Sequence, residues 1–167
     1  MNDIRSKMES LIDNYVSLEK EIQQLIHRAF HRHCEKCASR CCREEMCRES
    51  MGSAFLAMIV KKQGVRYDNQ TGWTGPSGCR LAYGRPLVCY EFFCDHILQR
   101  QSCRDKKIAE MIHDFAAIGD RAHGRKHLMC IEDLGIISPA KIEKMVSKIG
   151  LVMSGLTDFK SKEMSDE

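Results

Sequence analysis

The sequence predicts an all-α fold: a small helical domain with long terminal helices around an irregular, cysteine-rich centre. Near the N-terminus, Ile4, Met8, Leu11, Tyr15, Leu18, Ile22, Leu25 and Ala29 alternate steps of four and three, which is the spacing of a helical seam. Near the C-terminus, Ile142, Met145, Ile149, Val152, Leu156 and Phe159 also follow steps of three and four. Between them no stretch alternates convincingly with the period of two that a half-buried strand requires, and no internal repeat is present. The 167 residues suffice for one domain with a sizeable core. They divide into an N-terminal helix (residues 1–33), a cysteine-rich core (34–103) and C-terminal helices (104–167).

The first helix is expected over residues 3–30. Ile12, Val16, Ile26 and Phe30 widen its seam into a broad stripe, which suits multi-helix packing better than a two-stranded coiled coil. Asn2 or Asp3 can cap its first turn. It runs straight into His31 and Cys34, so it holds the first thiols of the centre. A second helix is expected over 50–63, capped by Ser50, buried through Phe55, Leu56, Ile59 and Val60, and ended by Gly64. The glycine-rich loop 64–78 contains no Gly-x4-Gly-Lys-Ser/Thr, so it reads as turns returning Cys79 to the upstream cysteines rather than as a phosphate cradle. Tyr67 and Trp73 are expected to cover the centre and limit water access.

A third helix is expected over 87–101 through Val88, Phe92, Ile97 and Leu98. A fourth spans 104–123 through Ile108, Met111, Ile112, Phe115 and Ile118, and is broken by His123-Gly124-Arg125-Lys126-His127. Ser138-Pro139 supplies an N-cap and a proline at the first helical position of the last helix. Its seam matches that of the first helix. The two are expected to pair, or to offer a surface for a homodimer or a protein partner. The polar tail from about Lys160 is expected to fray.

Composition narrows the function. The net charge of +3 is small and the basic residues are mixed with acidic ones, which argues against a dedicated nucleic-acid binder. The opening Met1-Asn2-Asp3-Ile4-Arg5-Ser6-Lys7 has no apolar signal region, and no run is long and apolar enough for a membrane span. A cytoplasmic location follows as the expectation. There the ten cysteines stay reduced and read as metal ligands or redox groups, the alternative being the disulfide framework of an exported protein.

The candidate ligands fall in two groups: Cys34, Cys37, Cys41 and Cys42 upstream, and Cys79, Cys89 and Cys94 downstream. Cys34-x2-Cys37 can form a knuckle that places two thiolates on one ion. The adjacent Cys41 and Cys42 point to opposite faces in extended backbone, so either one of them is structural or the site is polynuclear. Pro86 fixes its own φ and pushes Arg85 into an extended conformation, a stiff bend between thiols. Arg85 is expected to contact the cofactor and offset its negative charge, or to fork onto a carboxylate that holds the bend, with plain solvent exposure as the alternative. Cys89 is expected near a helix N-terminus, where the dipole favours thiolate. His31, His33 and His96 neighbour cysteines and are either ligands or bystanders. His113, His123 and His127 read as structural, Cys103 and Cys130 as core residues, and Cys47 is left without a role. Thiolates suit both an iron–sulfur cluster and Zn2+, and the adjacent pair leans slightly to the cluster.

The elements Cys34-x2-Cys37-x3-Cys41-Cys42 and Cys79-x5-Arg85-Pro86-x2-Cys89 together resemble the YkgJ-type family of zinc- or iron-chelating proteins over residues 34–94. This chain differs in having three residues before Cys41-Cys42, and Gly72-Trp73 where many members place a further cysteine. The resemblance implies a metal-binding protein holding an iron–sulfur cluster or zinc through clustered cysteines. Members with an assigned activity include flagellin lysine methylases, which look like iron–sulfur proteins using S-adenosylmethionine, so a methylase-like enzyme is the alternative it implies. A helical interaction module with a purely structural metal is a third reading. The chain carries no Rossmann glycine fingerprint and no acid/base constellation, which favours the binding protein.

Overall fold

The computed structural model describes residues 2–35, 44–75, 78–91, 97, 99 and 102–165. Six α-helices are described: α1 (Asn2–Glu35), α2 (Glu44–Glu49), α3 (Ala54–Lys61), α4 (Val88–Glu91), α5 (Cys103–Ala116) and α6 (Pro139–Ser165). Two-residue strands β1 (Thr74–Gly75) and β2 (Gly78–Cys79) pair antiparallel, with Thr74 opposite Cys79. The architecture is all-α, and this short hairpin is a local device of the central loop.

The broad stripe of α1 is the spine of the main core. Leu11, Ile12, Leu18, Ile22 and Leu25 are fully buried, together with Phe55 and Leu56 of α3, Ile108, Ile112 and Phe115 of α5, and Ile142, Met145, Ile149 and Leu156 of α6. Tyr15 packs edge-on against Phe55 and tilted against Phe115, both with centroids 5.1 Å away. The seam that suggested a surface for a second chain is therefore packed within this one, apart from the exposed Ile4. A smaller second core gathers Cys47, Val60, Trp73 and Leu81.

The terminal helices do pair, and they run parallel. Lys7 of α1 meets Glu143 of α6 at 2.9 Å near the start of both helices. Lys160 meets Glu21 towards the other end. Exposed ion pairs of this kind add little stability, but they mark the register. Residues 36–138 must return the chain to the end from which α1 set out. No described helix is long and apolar enough to cross a membrane.

Several element bounds differ from expectation for visible reasons. α1 continues to Glu35, so Cys34 lies on its last turn. Ser53, not Ser50, caps α3: its hydroxyl accepts the Leu56 N–H at 3.2 Å. Ser50 sits in a 3-10 turn and its hydroxyl bonds Trp73 and the Cys47 carbonyl instead. Of the expected third helix, α4 covers Val88–Glu91 and Ile97 is buried, whereas Phe92 and Leu98 lie outside the described residues. α6 does not fray from Lys160 but continues to Ser165, because Phe159 packs on the core and Lys160 holds Glu21.

α5 starts one residue early on a full capping box between Ser102 and Asp105. It ends at Ala116 and passes into a 3-10 turn, Ala117–Gly119. The cause is His127, whose Nε2–H donates to the Ala116 carbonyl at 2.9 Å while Nδ1 accepts the Met129 N–H at 3.1 Å. Both ring nitrogens are used, so His127 is structural as expected. Its ring lies flush on Gly119, where a Cβ would fall 2.5 Å from Cε1.

That contact makes Gly119→Ala a sharp probe. The ring cannot withdraw without losing two hydrogen bonds, so the substitution is expected to cost about 1–3 kcal/mol in urea unfolding. It should cost much less in a His127→Ala background. Equal losses in both backgrounds would mean that the ring does not define the turn.

Candidate metal centre

The Arg-Pro bend is fixed by a residue that sequence reasoning passed over. Glu19 of α1 is fully buried. Its carboxylate accepts the Gly84 N–H at 2.6 Å, the Arg85 N–H at 2.9 Å, the Tyr90 hydroxyl, and Gln23 Nε2 at 3.2 Å. Gln23 Nε2 also donates to the Tyr90 hydroxyl oxygen at 3.0 Å. A buried carboxylate is tolerated only when its lone pairs are met in this way. Gly84 has φ +76, and a Cβ there would come 2.8 Å from Ile59 Cγ2. The bend thus needs glycine both for its backbone conformation and for its approach to α3.

The backbone of 81–85 makes no ladder, so side chains meet its polar groups. Gln63 accepts the Ala82 N–H at 2.9 Å and donates to the Tyr83 carbonyl at 2.8 Å. Arg85 turns its guanidinium back onto the Leu81 carbonyl, with Nε at 3.3 Å and Nη2 at 3.2 Å. The expected carboxylate that holds the bend exists, but it grips backbone N–H groups. The Arg85 fork closes on a carbonyl, and its charge acts on Glu19.

Burial pushes the Glu19 carboxyl above its ordinary value. The hydrogen bonds from Tyr90, Arg85 and Gly84 and the charge of Arg85 pull it part of the way back. Burial also drives the Tyr15 and Tyr90 hydroxyls well above theirs, and Glu19 adds to both shifts. The Tyr15 hydroxyl is buried and has no hydrogen-bond partner among the described residues.

The downstream thiols leave this fixed segment on either side. Cys79 is half-buried in β2 and packs against the second core. Cys89 is exposed at the second position of α4, where its N–H bonds the Pro86 carbonyl at 3.0 Å. Tyr67 and Trp73 enclose the Cys79 side of the bend. Their rings meet edge to face at 5.1 Å, Trp73 Nε1 donates to Ser50 Oγ at 2.8 Å, and the Tyr67 hydroxyl donates to Glu44 at 2.9 Å. Glu44 in turn holds Arg48 at 2.7 Å, and these two partners keep its carboxyl below the usual value.

Of the expected ligands, Cys37, Cys41, Cys42 and Cys94 lie outside the described residues, and of Cys34 only the backbone is described, on the last turn of α1. The side chains of His31, His33 and His96 fall outside as well. Among the described residues, no three His, Cys, Asp or Glu side chains gather in a way that could hold a metal ion. Cys79 and Cys89 suit zinc or an iron–sulfur centre in donor chemistry, and two thiols leave further positions of a tetrahedral site to other donors. Cys103 and Cys130 do not reside in the core as expected. Both are exposed, because Cys103 opens α5 directly after its cap and Cys130 closes a 3-10 turn.

Compared with protein-family models, with curated proteins and with solved structures, the chain matches none.

The raised Glu19 value has a signed consequence. In the window from the ordinary glutamate value up to the raised one, the folded state binds more protons than the unfolded state, so the contribution of Glu19 to stability falls as pH rises through it. Urea unfolding of wild type and Glu19→Gln between pH 4 and 8 should show the wild type losing ground to the variant with increasing pH. The slope is bounded at about 1.4 kcal/mol per pH unit. Parallel profiles would show that Glu19 titrates alike in both states.

Proposed function

We propose that this chain is a metal-binding protein that holds an iron–sulfur cluster or zinc through its clustered cysteines, in keeping with the resemblance of residues 34–94 to the YkgJ-type proteins. One observation supports this reading above the others. The segment that carries Cys79 and Cys89 is tied by Glu19 to α1, and the last turn of α1 carries Cys34. The downstream cysteines thus leave a bend that hydrogen bonds hold to the same helix whose last turn carries Cys34. Preorganised donors lower the ordering cost of binding. The chemistry a bound metal supplies here is thiolate coordination, structural or electron-transferring. The residues of the chain position the thiols and keep water from the Trp73 side.

Metal analysis and an absorption spectrum on anaerobically purified protein test the proposal. Broad absorbance at about 400 nm identifies a thiolate-held cluster, and stoichiometric zinc without colour identifies the alternative. Cys37→Ser and Cys89→Ser should each lose most of the metal. Chelation should lower the melting temperature, since structural thiolate sites contribute about 10 kcal/mol of apparent binding energy. Protein that holds no metal as purified and takes up none on reconstitution refutes the proposal.

A further inference from the structure

The connector between α5 and α6 carries a basic turn that the cysteine motif does not use. Residues 121–126 read Arg-Ala-His-Gly-Arg-Lys, with three permanent cations, one histidine and no carboxylate. Ala122 is buried and the other five are exposed. Several exposed cations elsewhere are answered by a carboxylate: Arg5 by Glu9, Arg48 by Glu44 and Lys62 by Asp13. Among the described residues, the side chains of Arg121, Arg125 and Lys126 have neither an ion pair nor a hydrogen bond. The neighbouring Asp120 offsets one of the three charges, and Asp133 is taken up by the Gly135 N–H at 2.8 Å.

A run of surface cations is by default a solvated face. Three features set this one apart. Its base is fixed. Ala122 is 2% exposed and its N–H bonds the Gly119 carbonyl at 3.3 Å. His127 closes the other end through both ring nitrogens, ahead of the buried Leu128 and Met129. Between these anchors the Lys126 N–H returns to the His123 carbonyl at 2.9 Å. Cations on such a base lose less freedom on binding than cations on a mobile loop. The second feature is Arg121 itself. Among the described residues it is the one non-glycine with a positive φ, +54. Glycine or asparagine meets that conformation at less cost, and strain of this kind is kept where the side chain has a use. Third, α6 extends the charge. Lys148 Nζ donates to the Ala117 carbonyl at 3.1 Å, four residues before Arg121. Lys144 and Lys141 lie one and two turns back along the same flank. Glu143, the acid of that stretch, pairs with Lys7 on the α1 side.

We propose that this turn docks an acidic segment of another protein, rich in Asp or Glu. The guanidinium forks of Arg121 and Arg125 take carboxylates bidentately, and Lys126 adds a point charge beside them. Nucleic acid fits less well. Among the described residues no aromatic side chain is exposed to stack on a base, and the net charge of +3 is small for a polyanion binder. The inference stands apart from the metal reading.

The test titrates full-length wild type with a fluorescein-labelled peptide of alternating glutamate and glycine, read by anisotropy. Binding should weaken as salt rises. Arg121→Ala/Arg125→Ala/Lys126→Ala should lose about tenfold or more in affinity, and Lys61→Ala/Arg66→Ala/Lys106→Ala, which removes the same charge from exposed positions elsewhere, about twofold or less. Arg121→Gly separates binding from folding: with the backbone relieved, it should melt at or above wild type and yet bind the peptide more weakly. Wild type that does not bind, equal losses in the two triple variants, or Arg121→Gly with unchanged affinity overturns the proposal. A DNA duplex or phosphatidylserine vesicles bound more tightly than the peptide, with the same loss in the turn variant, would reassign the turn to nucleic acid or a membrane surface and overturn the acidic protein partner. If the turn variant does not fold, Arg121→Gly decides.

Discussion

One buried carboxylate connects the two halves of this chain. Glu19 leaves the first helix and takes the N–H groups of Gly84 and Arg85 and the hydroxyl of Tyr90. Without those donors the charge would be too costly to bury. Without the carboxylate, two backbone N–H groups of a loop that has no ladder would lose their partner inside the protein. Each side therefore requires the other. The bend at Pro86 is a fixed part of the core, and the cysteines on either side of it inherit that rigidity.

The hydrogen bonding around the bend is unusual in kind. Segments of irregular backbone usually lie at the surface, where water meets their polar groups. Here Gln63, Glu19 and the guanidinium of Arg85 meet those groups one at a time. The Tyr15 hydroxyl is left unmatched beside them. It sits in the aromatic cluster with Phe55 and Phe115, where ring packing offsets the loss of one hydrogen bond.

The helices were legible because periodicity reports burial directly: the seam residues of α1 and α6 lie in the core or pack against it, except the exposed Ile4. Caps were less legible, since Ser50 and Ser53 are equally good candidates and only the indole of Trp73 separates them. The end of α5 depends on a histidine distant in sequence, which no local pattern encodes. Glu19 did leave a trace. Ile12, position 19 and Ile26 stand seven apart on the flank of the α1 stripe, and an acid between a buried and a half-buried isoleucine is a break in pattern that asks for partners. The burial of Cys47 left none, because its partner surface is the backbone of Gly72. Of the motif cysteines, Cys37, Cys41, Cys42 and Cys94 lie outside the described residues, and of Cys34 only the backbone is described.

The parallel pairing of the terminal helices sets the order in which this protein can be completed. The face of α1 is covered by α6, which is made after residues 36–138. During synthesis a continuous apolar stripe must wait for that intervening stretch to follow, and the closing contact joins distant parts of the sequence. Such contacts form slowly, and the waiting surface is open to chaperones and to association in the meantime. The cysteine-rich middle thus emerges before the helical frame around it has closed.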